Sequence, residues 1–450
     1  MREDGVSEGY ARVLVVNGYP FTRATATGIT LLSLFKGWPP ERLACFHVSQ
    51  LAPEPGIAEW TWNVGTLNDP FARRVFPLFG KRLYGAGAAT EAARPSHASG
   101  PRSVSGVRAL VSEQHAAELS RFVVPTSVMR EVREFQPDVI YTMLGSNRVM
   151  RLVLDLSDAC SIGVVPHFMD DWPATAYGRS VLRPVLRFRM RALLAAVLAR
   201  APVRMAIGRD MADEFERRYG GAFASFMNAV EPAALERAEP PPVRRVVRLL
   251  YAGGLHLGRW RSLRDIGRAL ASLHREGLDA ELVVHTQSRF AGEARRLESS
   301  GVVHVAGPLA PDSVPAALRT ADILVHVESF NNSSQRYARY SMSTKIPECM
   351  AACRPILAYG PGDLASVRYV SDCGAGVAVG TRDEHALVGE LRRLIASRQM
   401  REQLGRRGFD MAIAHHNAEA QRERFRLLLA SAGSENLETS ARSVSRCAVR

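Results

Sequence analysis

The stretch Ser341 to Gly360 reads SMSTKIPECMAACRPILAYG and sets one lysine, Lys345, three residues before one glutamate, Glu348. Lysine is rare in this chain. Only Lys36, Lys81 and Lys345 occur, so 55 of the 58 basic residues are arginines. A lysine kept against that bias suits a task that a guanidinium performs badly. Ser343 and Thr344 are expected to cap the helix that follows, with Pro347 in its first turn. Such a helix start offers free N–H groups and a positive dipole end to an anion. A compact ammonium suits phosphate as a point charge. Glu348 sits in the first turn, where a carboxylate can accept hydrogen bonds from a sugar diol. The same spacing also fits a plain capped helix with a surface lysine and a capping glutamate.

Three further constellations carry polar chemistry. YAGGLHLGRWRSL ends a strand at Gly253 and Gly254, with Arg259 and Arg261 following. A Gly-rich turn lets backbone approach a ligand closely, and two arginines would neutralise a diphosphate. PHFMDDWP places His167, Asp170 and Asp171 after a buried strand, as catalytic groups or as ordinary helix-cap material. RATATGITLL opens a helix at Thr27-Gly28-Ile29-Thr30, a hydroxyl-capped start or a ligand-facing loop. No Asp-x-Asp occurs, so no metal is expected; a diphosphate would have to be met by the cations and the helix end. Cys349 and Cys353, four apart, read as small core residues rather than a metal pair.

The elements that must position these residues alternate strand and helix. RVLVVNGYP, PDVIYTML and IGVVPHF are apolar strands of a parallel sheet with crossover helices. RAEPPPVRR, Arg237 to Arg245, reads as a linker. The pattern then restarts with VRLLYAGGL, AELVVHT, VVHVAG, DILVHVES and PILAYG. The expected organisation is a first α/β domain over 1–236, a linker over 237–245 and a second domain over 246–410. A helix over 411–430 would return to the first domain, a disordered tail would span 431–450, and 80–107 would form a mobile loop.

Composition narrows the class. A hydrophobic fraction of 46% supports two ordinary cores. The net charge of +13 would suit nucleic acid or an acidic membrane. The arginine bias is instead read as compositional, and no nucleic-acid motif accompanies it. Six cysteines without a paired framework fit a reducing cytosol. The N-terminus does not read as a signal peptide, and no apolar run approaches the ~20 residues of a spanning helix. Arg179 to Arg200, RSVLRPVLRFRMRALLAAVLAR, is a basic amphipathic helix. Its apolar residues are read as core and its arginines as solvated, with contact to anionic lipid as the other reading.

Taken together, ADILVHVES, STKIPECMAACRPILAYG, VHVAGPLAPDSVPAALRTAD and FMNAVEP resemble the bacterial group 1 (family 4) GT-B glycosyltransferases. The resemblance runs from about Arg12 to Leu429 and is densest from Leu249 to Gly380. It implies two doubly wound, Rossmann-like parallel-sheet domains facing across a cleft, with the nucleotide-sugar on the second and the acceptor on the first. By position, Glu348 matches the second glutamate of the Glu-x7-Glu motif and would hold the ribose. Ser343 and Thr344 match the segment that cradles the distal phosphate, and Arg259 or Arg261 with Lys345 match the phosphate-binding cations. Gly307 to Leu309 match the segment facing the base. Gly28 matches a loop facing donor and acceptor, and His167 with Asp170 and Asp171 matches a pair facing the cleft. Tyr340 stands where the first motif glutamate belongs, the loop Asn331 to Tyr340 is longer than usual, and Asn228-Ala229 replaces asparagine-glycine.

The resemblance implies a cytoplasmic sugar transferase that uses a nucleotide-diphosphate sugar, needs neither cofactor nor metal, and retains anomeric configuration. The acceptor would be a glycan, a lipid-linked or a small molecule in envelope or exopolysaccharide synthesis, with peripheral contact to the inner membrane face. A phosphorylase or epimerase on the same plan, and a degenerate glycan- or partner-binding protein, are the other readings.

Overall fold

A computed structural model describes residues 9–64, 117–178, 180, 182–236, 238–297 and 301–447. The expected loop at 80–107 lies outside the described residues. Two compact units emerge. The first comprises residues 1–226 with 422–450, the second 227–421.

The first unit holds β1 (Val13–Asn17), β2 (Leu43–His47), β3 (Trp60–Asn63), β4 (Val139–Thr142), β5 (Gly163–Phe168), β6 (Met205–Ala206) and β7 (Ala224–Ser225). All pair in parallel, in the order β3-β2-β1-β4-β5-β6-β7. Every residue of β1, β4 and β5 is buried. That explains their continuous apolar runs, since a parallel sheet is covered on both faces.

The second unit repeats the plan. β8 (Val247–Ala252), β9 (Ala280–His285), β10 (Val303–Ala306), β11 (Ile323–Val327), β12 (Ile356–Tyr359) and β13 (Gly376–Val379) are parallel, in the order β10-β9-β8-β11-β12-β13. Helix Arg259–Arg275 buries Leu263, Ile266, Leu270 and Leu273 against this sheet, the spacing of a one-sided apolar stripe. The strand order reverses between β8 and β11. In an open α/β sheet that reversal, at the carboxyl ends of the strands, is where ligands bind.

The boundary between units falls after Phe226, ahead of the Pro-rich stretch expected to be the linker. Buried Arg354 donates to the carbonyls of Ala321, Cys353, Arg319 and Glu239. Arg319 donates to Ala234 and Glu236. These bonds dock the stretch onto the second unit. The chain rejoins the first unit from Arg422, inside a helix that runs Ala418–Cys447. That helix continues through the segment expected to be a disordered tail. Phe425, Leu429 and Ala432 are buried in the first unit's core, which gives the helix an anchor that the sequence pattern alone does not show.

Candidate functional site

The carboxyl ends of β8 and β11 gather most of the polar residues singled out in the second unit. Glu328 follows β11 directly. Its Oε1 accepts from Arg259 Nη2 at 2.7 Å and its Oε2 from Arg259 Nε at 3.2 Å. The guanidinium and the carboxylate meet fork to fork, the strongest geometry for such a pair. Only 5% of the Glu328 side chain is exposed, against 20% for Arg259. Burial pushes the Glu328 pKa up, but Arg259 and His326 outweigh burial, and the net shift is down. Glu328 is therefore an ionised carboxylate held inside the fold.

Neighbours fix this pair. Ser262 Oγ donates to the Glu328 carbonyl at 2.7 Å. His326 Nε2 lies 3.2 Å from Ser366 Oγ and 3.8 Å from Glu328 Oε1. Burial lowers the His326 pKa to about 4, so its imidazole is neutral near pH 7. A Cβ on Gly360 would stand 2.8 Å from Glu328 Cβ, and one on Gly258 2.9 Å from Ser329 Oγ. Gly258 also has φ +86°, a conformation that glycine adopts without a Cβ penalty.

Lys345 reaches the same edge from the other side. Its Nζ donates to the Ala252 carbonyl, the last of β8, at 2.6 Å. The ammonium also lies 5.9 Å from the Tyr251 ring centroid. A Cβ on Gly253 would come 2.5 Å from Nζ, so the glycine makes the lysine's place. Burial lowers its pKa to about 8, with Arg259 adding to that and Glu348 opposing it. The residue nonetheless keeps an exposed surface, and solvent damps the shift without reversing its direction.

Helix Ile346–Ala351 is short, and its N-cap is Lys345 itself, with no side-chain cap. Ser343 and Thr344 therefore do not cap it as expected. Ser343 Oγ instead accepts from the Lys345 N–H at 3.5 Å. Thr344 and Lys345 form a turn, and Pro347 occupies the second helical position. Glu348 is exposed in the first turn. No hydrogen bond or ion pair to its carboxylate is found among the described residues. Although its surface is exposed, partial desolvation by the surrounding protein raises its pKa, and the Lys345 ammonium pulls the other way.

The remaining second-unit residues are more scattered. Arg261 is exposed and lies over the Trp260 ring at 5.2 Å. Gly307 follows β10, and its carbonyl lies 3.1 Å from His285 Nδ1; Leu309 is half-buried just beyond it. The segment expected as a long loop before Tyr340 contains a helix, Asn332–Ala338. Asn331 caps it, and Ser334 Oγ ties it to the Leu257 carbonyl at 3.0 Å. Cys349 and Cys353 are buried thiols outside any disulfide among the described residues.

The first-unit residues fare differently. His167 lies within β5 and is 1% exposed. Its Nδ1 meets the Tyr141 hydroxyl at 2.7 Å, and its ring packs edge-on to Phe226. Burial lowers its pKa to about 4. It is a core histidine rather than a group at an open strand end. Asp171 is 2% exposed and paired with Arg218 at 2.9 Å, so its charge is already used. Asp170 is half-buried and engaged in an interaction of its own. Gly28 is the third residue of helix Ala26–Leu34, not its opening. Its N–H is taken by the Thr25 cap at 3.0 Å. A Cβ there would overlap the Thr22 carbonyl, which accounts for the glycine by packing.

Sequence reading passed over His326 and Tyr251. Each sits inside an apolar strand, where a polar ring reads as filler. The signal available was its place one or two residues before the carboxyl end of a switch-point strand. Among the described residues, no group of three or more His, Cys, Asp or Glu is arranged to hold a metal ion.

Residues 264–426 match the family described as glycosyl transferase-like. The match covers most of the second unit and the start of the last helix. Solved structures agree on the fold. Anabaena Alr3699/HepE in complex with UDP aligns with TM-score 0.62 at 12% identity, over 93% of this chain and 99% of that one. Sucrose-phosphate synthase from Thermosynechococcus elongatus gives 0.59 at 14%, over 92% and 97%. WaaG, a glycosyltransferase involved in lipopolysaccharide biosynthesis, gives 0.55 at 15%, over 92% and 99%. No curated protein matches the sequence. The fold is GT-B, with two doubly wound parallel-sheet units. The edge built by Lys345, the Arg259–Glu328 pair and Glu348 lies within or just before the matched segment, at the switch point of its sheet.

Proposed function

We propose that this glycosyltransferase moves a sugar from a nucleoside-diphosphate sugar to a glycan, lipid-linked or small-molecule acceptor, without a divalent metal and with retention of configuration. We place the reaction in envelope or exopolysaccharide synthesis, on the cytoplasmic side. The supporting observation is the switch-point edge of the second unit. There, the Lys345 ammonium, bonded to the Ala252 carbonyl, stands at a glycine turn, with the Glu348 carboxylate three residues on, without a partner among the described residues, and with a locked arginine–glutamate pair beside them. HepE was solved in complex with UDP, which supports a uridine nucleotide as the first donor to try.

In this reading Lys345 meets the diphosphate, and Glu348 accepts hydrogen bonds from the ribose hydroxyls. Gly253 and Gly254 let the backbone approach. Arg259 is held by Glu328, so it offers a guanidinium of fixed orientation rather than a mobile cation. Arg261, exposed nearby, adds a second positive group. As the sugar–oxygen bond breaks, charge grows on the leaving diphosphate, and donors already in place stabilise it without reorganising. Deprotonation of the acceptor would fall to the donor phosphate, since Asp171 is paired with Arg218 and His167 is buried in the core.

The test is release of nucleoside diphosphate from a panel of donors, with and without excess chelator. Turnover that survives EDTA is expected. Activity lost with EDTA and restored by manganese or magnesium would overturn metal independence. No release and no binding by saturation-transfer NMR across the panel would overturn the donor assignment.

A further inference from the structure

A cleft of about 390 Å³ opens between the Pro-rich stretch and the residues that lead into β11 and β12. All strands of this sheet run parallel, so their amino ends lie at the edge opposite the switch point. The cleft belongs wholly to the second unit.

Its charges are unbalanced. Arg244, Arg319 and Arg354 line it against a single carboxylate, that of Glu239, which leaves an excess of two positive charges. Arg354 is 4% exposed. An arginine so deeply buried is ordinarily paired with an acid. Here carbonyls hold it instead. Its Nη2 donates to Glu239 at 2.7 Å and to Arg319 at 2.8 Å, its Nε to Ala321 at 3.0 Å, and its Nη1 to Cys353 at 3.1 Å. These bonds fix the guanidinium in place without neutralising it. Asp322 favours the Arg354 charge from a distance, but one of its oxygens already accepts from the Arg248 N–H at 2.9 Å.

The other two arginines retain donors. Arg319 spends Nη2 on the carbonyls of Ala234 and Glu236, and Arg244 spends Nη1 on that of Thr320 at 2.9 Å. Nε and Nη1 of Arg319, and Nε and Nη2 of Arg244, have no partner among the described residues. Pro240, Pro241 and Pro242 complete the wall. Proline has no N–H to give, so hydrogen bonds to a ligand fall to the arginines, and the rings offer an apolar seat.

We propose that this cleft binds a phosphate monoester as its dianion. Guanidinium forks match phosphate oxygens, and a monoester carries about −1.5 to −2 charges at pH 7, which the excess of two cations balances. The volume falls in the range of small-ligand pockets. A bare phosphate ion would leave most of it empty, so the ester's organic group rests on the prolines. The lining holds no histidine, cysteine or lysine, which makes this a binding site and not a second catalytic centre. The inference does not depend on the donor chemistry at the other edge.

Calorimetric titration of the full chain with phenyl phosphate tests it. One equivalent should bind, more tightly than inorganic phosphate, which lacks the organic group. It should also bind more tightly than phenyl sulfate, which has the same body and one charge fewer. Arg244 is exposed, so Arg244→Gln should leave the melt unchanged. It should weaken phenyl phosphate at least about tenfold, the loss of one charge-assisted hydrogen bond. Binding should persist in a chain carrying Lys345→Ala and Glu348→Gln, which strips the donor edge of its own charges. No binding by the wild type would overturn the proposal, as would full affinity in Arg244→Gln. Loss of binding in the Lys345/Glu348 variant would assign the anion to the donor edge and overturn it equally. Inorganic phosphate or phenyl sulfate binding as tightly as phenyl phosphate would overturn the dianionic monoester as the ligand.

Discussion

Arg259 and Glu328 close the gap between β8 and β11: one guanidinium and one carboxylate meet through two hydrogen bonds of 2.7 and 3.2 Å. The pair lies where the strand order of the second sheet reverses. Removing one partner of a buried pair strands the other charge, at a cost of about 3–5 kcal/mol. Glu328→Ala should therefore destabilise the second unit by roughly that amount. Glu328→Gln, which keeps the shape, should cost less. Denaturant melts on the two variants decide it; equal, small losses would mean that the charge contributes little.

Lys345 offers a sharper contrast. Its Nζ occupies the space that a side chain at Gly253 would need. A guanidinium is broader and planar, so Lys345→Arg should lower turnover despite conserving charge. Lys345→Ala should lose about 3–4 kcal/mol of transition-state stabilisation, on the scale of one preorganised donor. With a pKa lowered to about 8, the ammonium loses its proton as pH rises through that value. Donor affinity should accordingly fall above pH 8, and Lys345→Arg should flatten that fall. Wild-type turnover in Lys345→Arg would show that any cation serves.

Glu348 has no partner to lose within the described residues. Glu348→Gln should leave the melt unchanged and weaken the donor roughly ten- to a hundredfold, the loss of one charge-assisted hydrogen bond. Calorimetric titration with UDP or a UDP-sugar measures it. Unchanged affinity would return Glu348 to a helix-end role.

At Gly28 the expectation reverses. A Cβ there meets the Thr22 backbone, so Gly28→Ala should destabilise the first unit by about 1–3 kcal/mol, as overpacking does. Donor affinity should not move while the protein remains folded. A variant with an unchanged melt and lost donor binding would restore Gly28 to the ligand loop.

Three buried histidines, His167, His326 and His416, have pKa values lowered from 6.5 to about 4, chiefly by burial. Each stays neutral in the fold but takes a proton on unfolding below pH 6.5. Their contribution is therefore complete above 6.5 and is lost as pH falls towards 4. The slope is at most about 1.4 kcal/mol per pH unit for each histidine. Denaturation midpoints should drop across that window. A midpoint that is flat from neutral pH to the lower end would show that the rings protonate in place.

Much of this was legible in the residues. The unbroken apolar runs of β1, β4 and β5 announce strands covered on both faces, and their alternation with helices gives the doubly wound plan. Lys345, Glu348, Arg259 and the glycine pair were readable because a switch point gathers the ends of strands that follow glycine or precede helices. The fate of His167 was not. PHFMDDWP gives no sign that the histidine side chain turns inward among aromatic rings while Asp171 finds Arg218, 47 residues later. Nor does spacing reveal that Glu328 captures Arg259 across 69 residues. Local pattern reports which element a residue occupies; long-range partners decide whether its charge remains available.

The last helix has a bearing on how the protein is made. Phe425 packs edge-on against Phe35, Tyr141 and Phe226, with ring centroids 5.1, 5.4 and 5.9 Å away. Those three rings belong to the part of the chain synthesised first, and Phe425 emerges only after the whole second unit. The first unit is thus completed only after the second unit has been made. Until Phe425 is made, the rings of Phe35, Tyr141 and Phe226 lack the partner that closes their cluster.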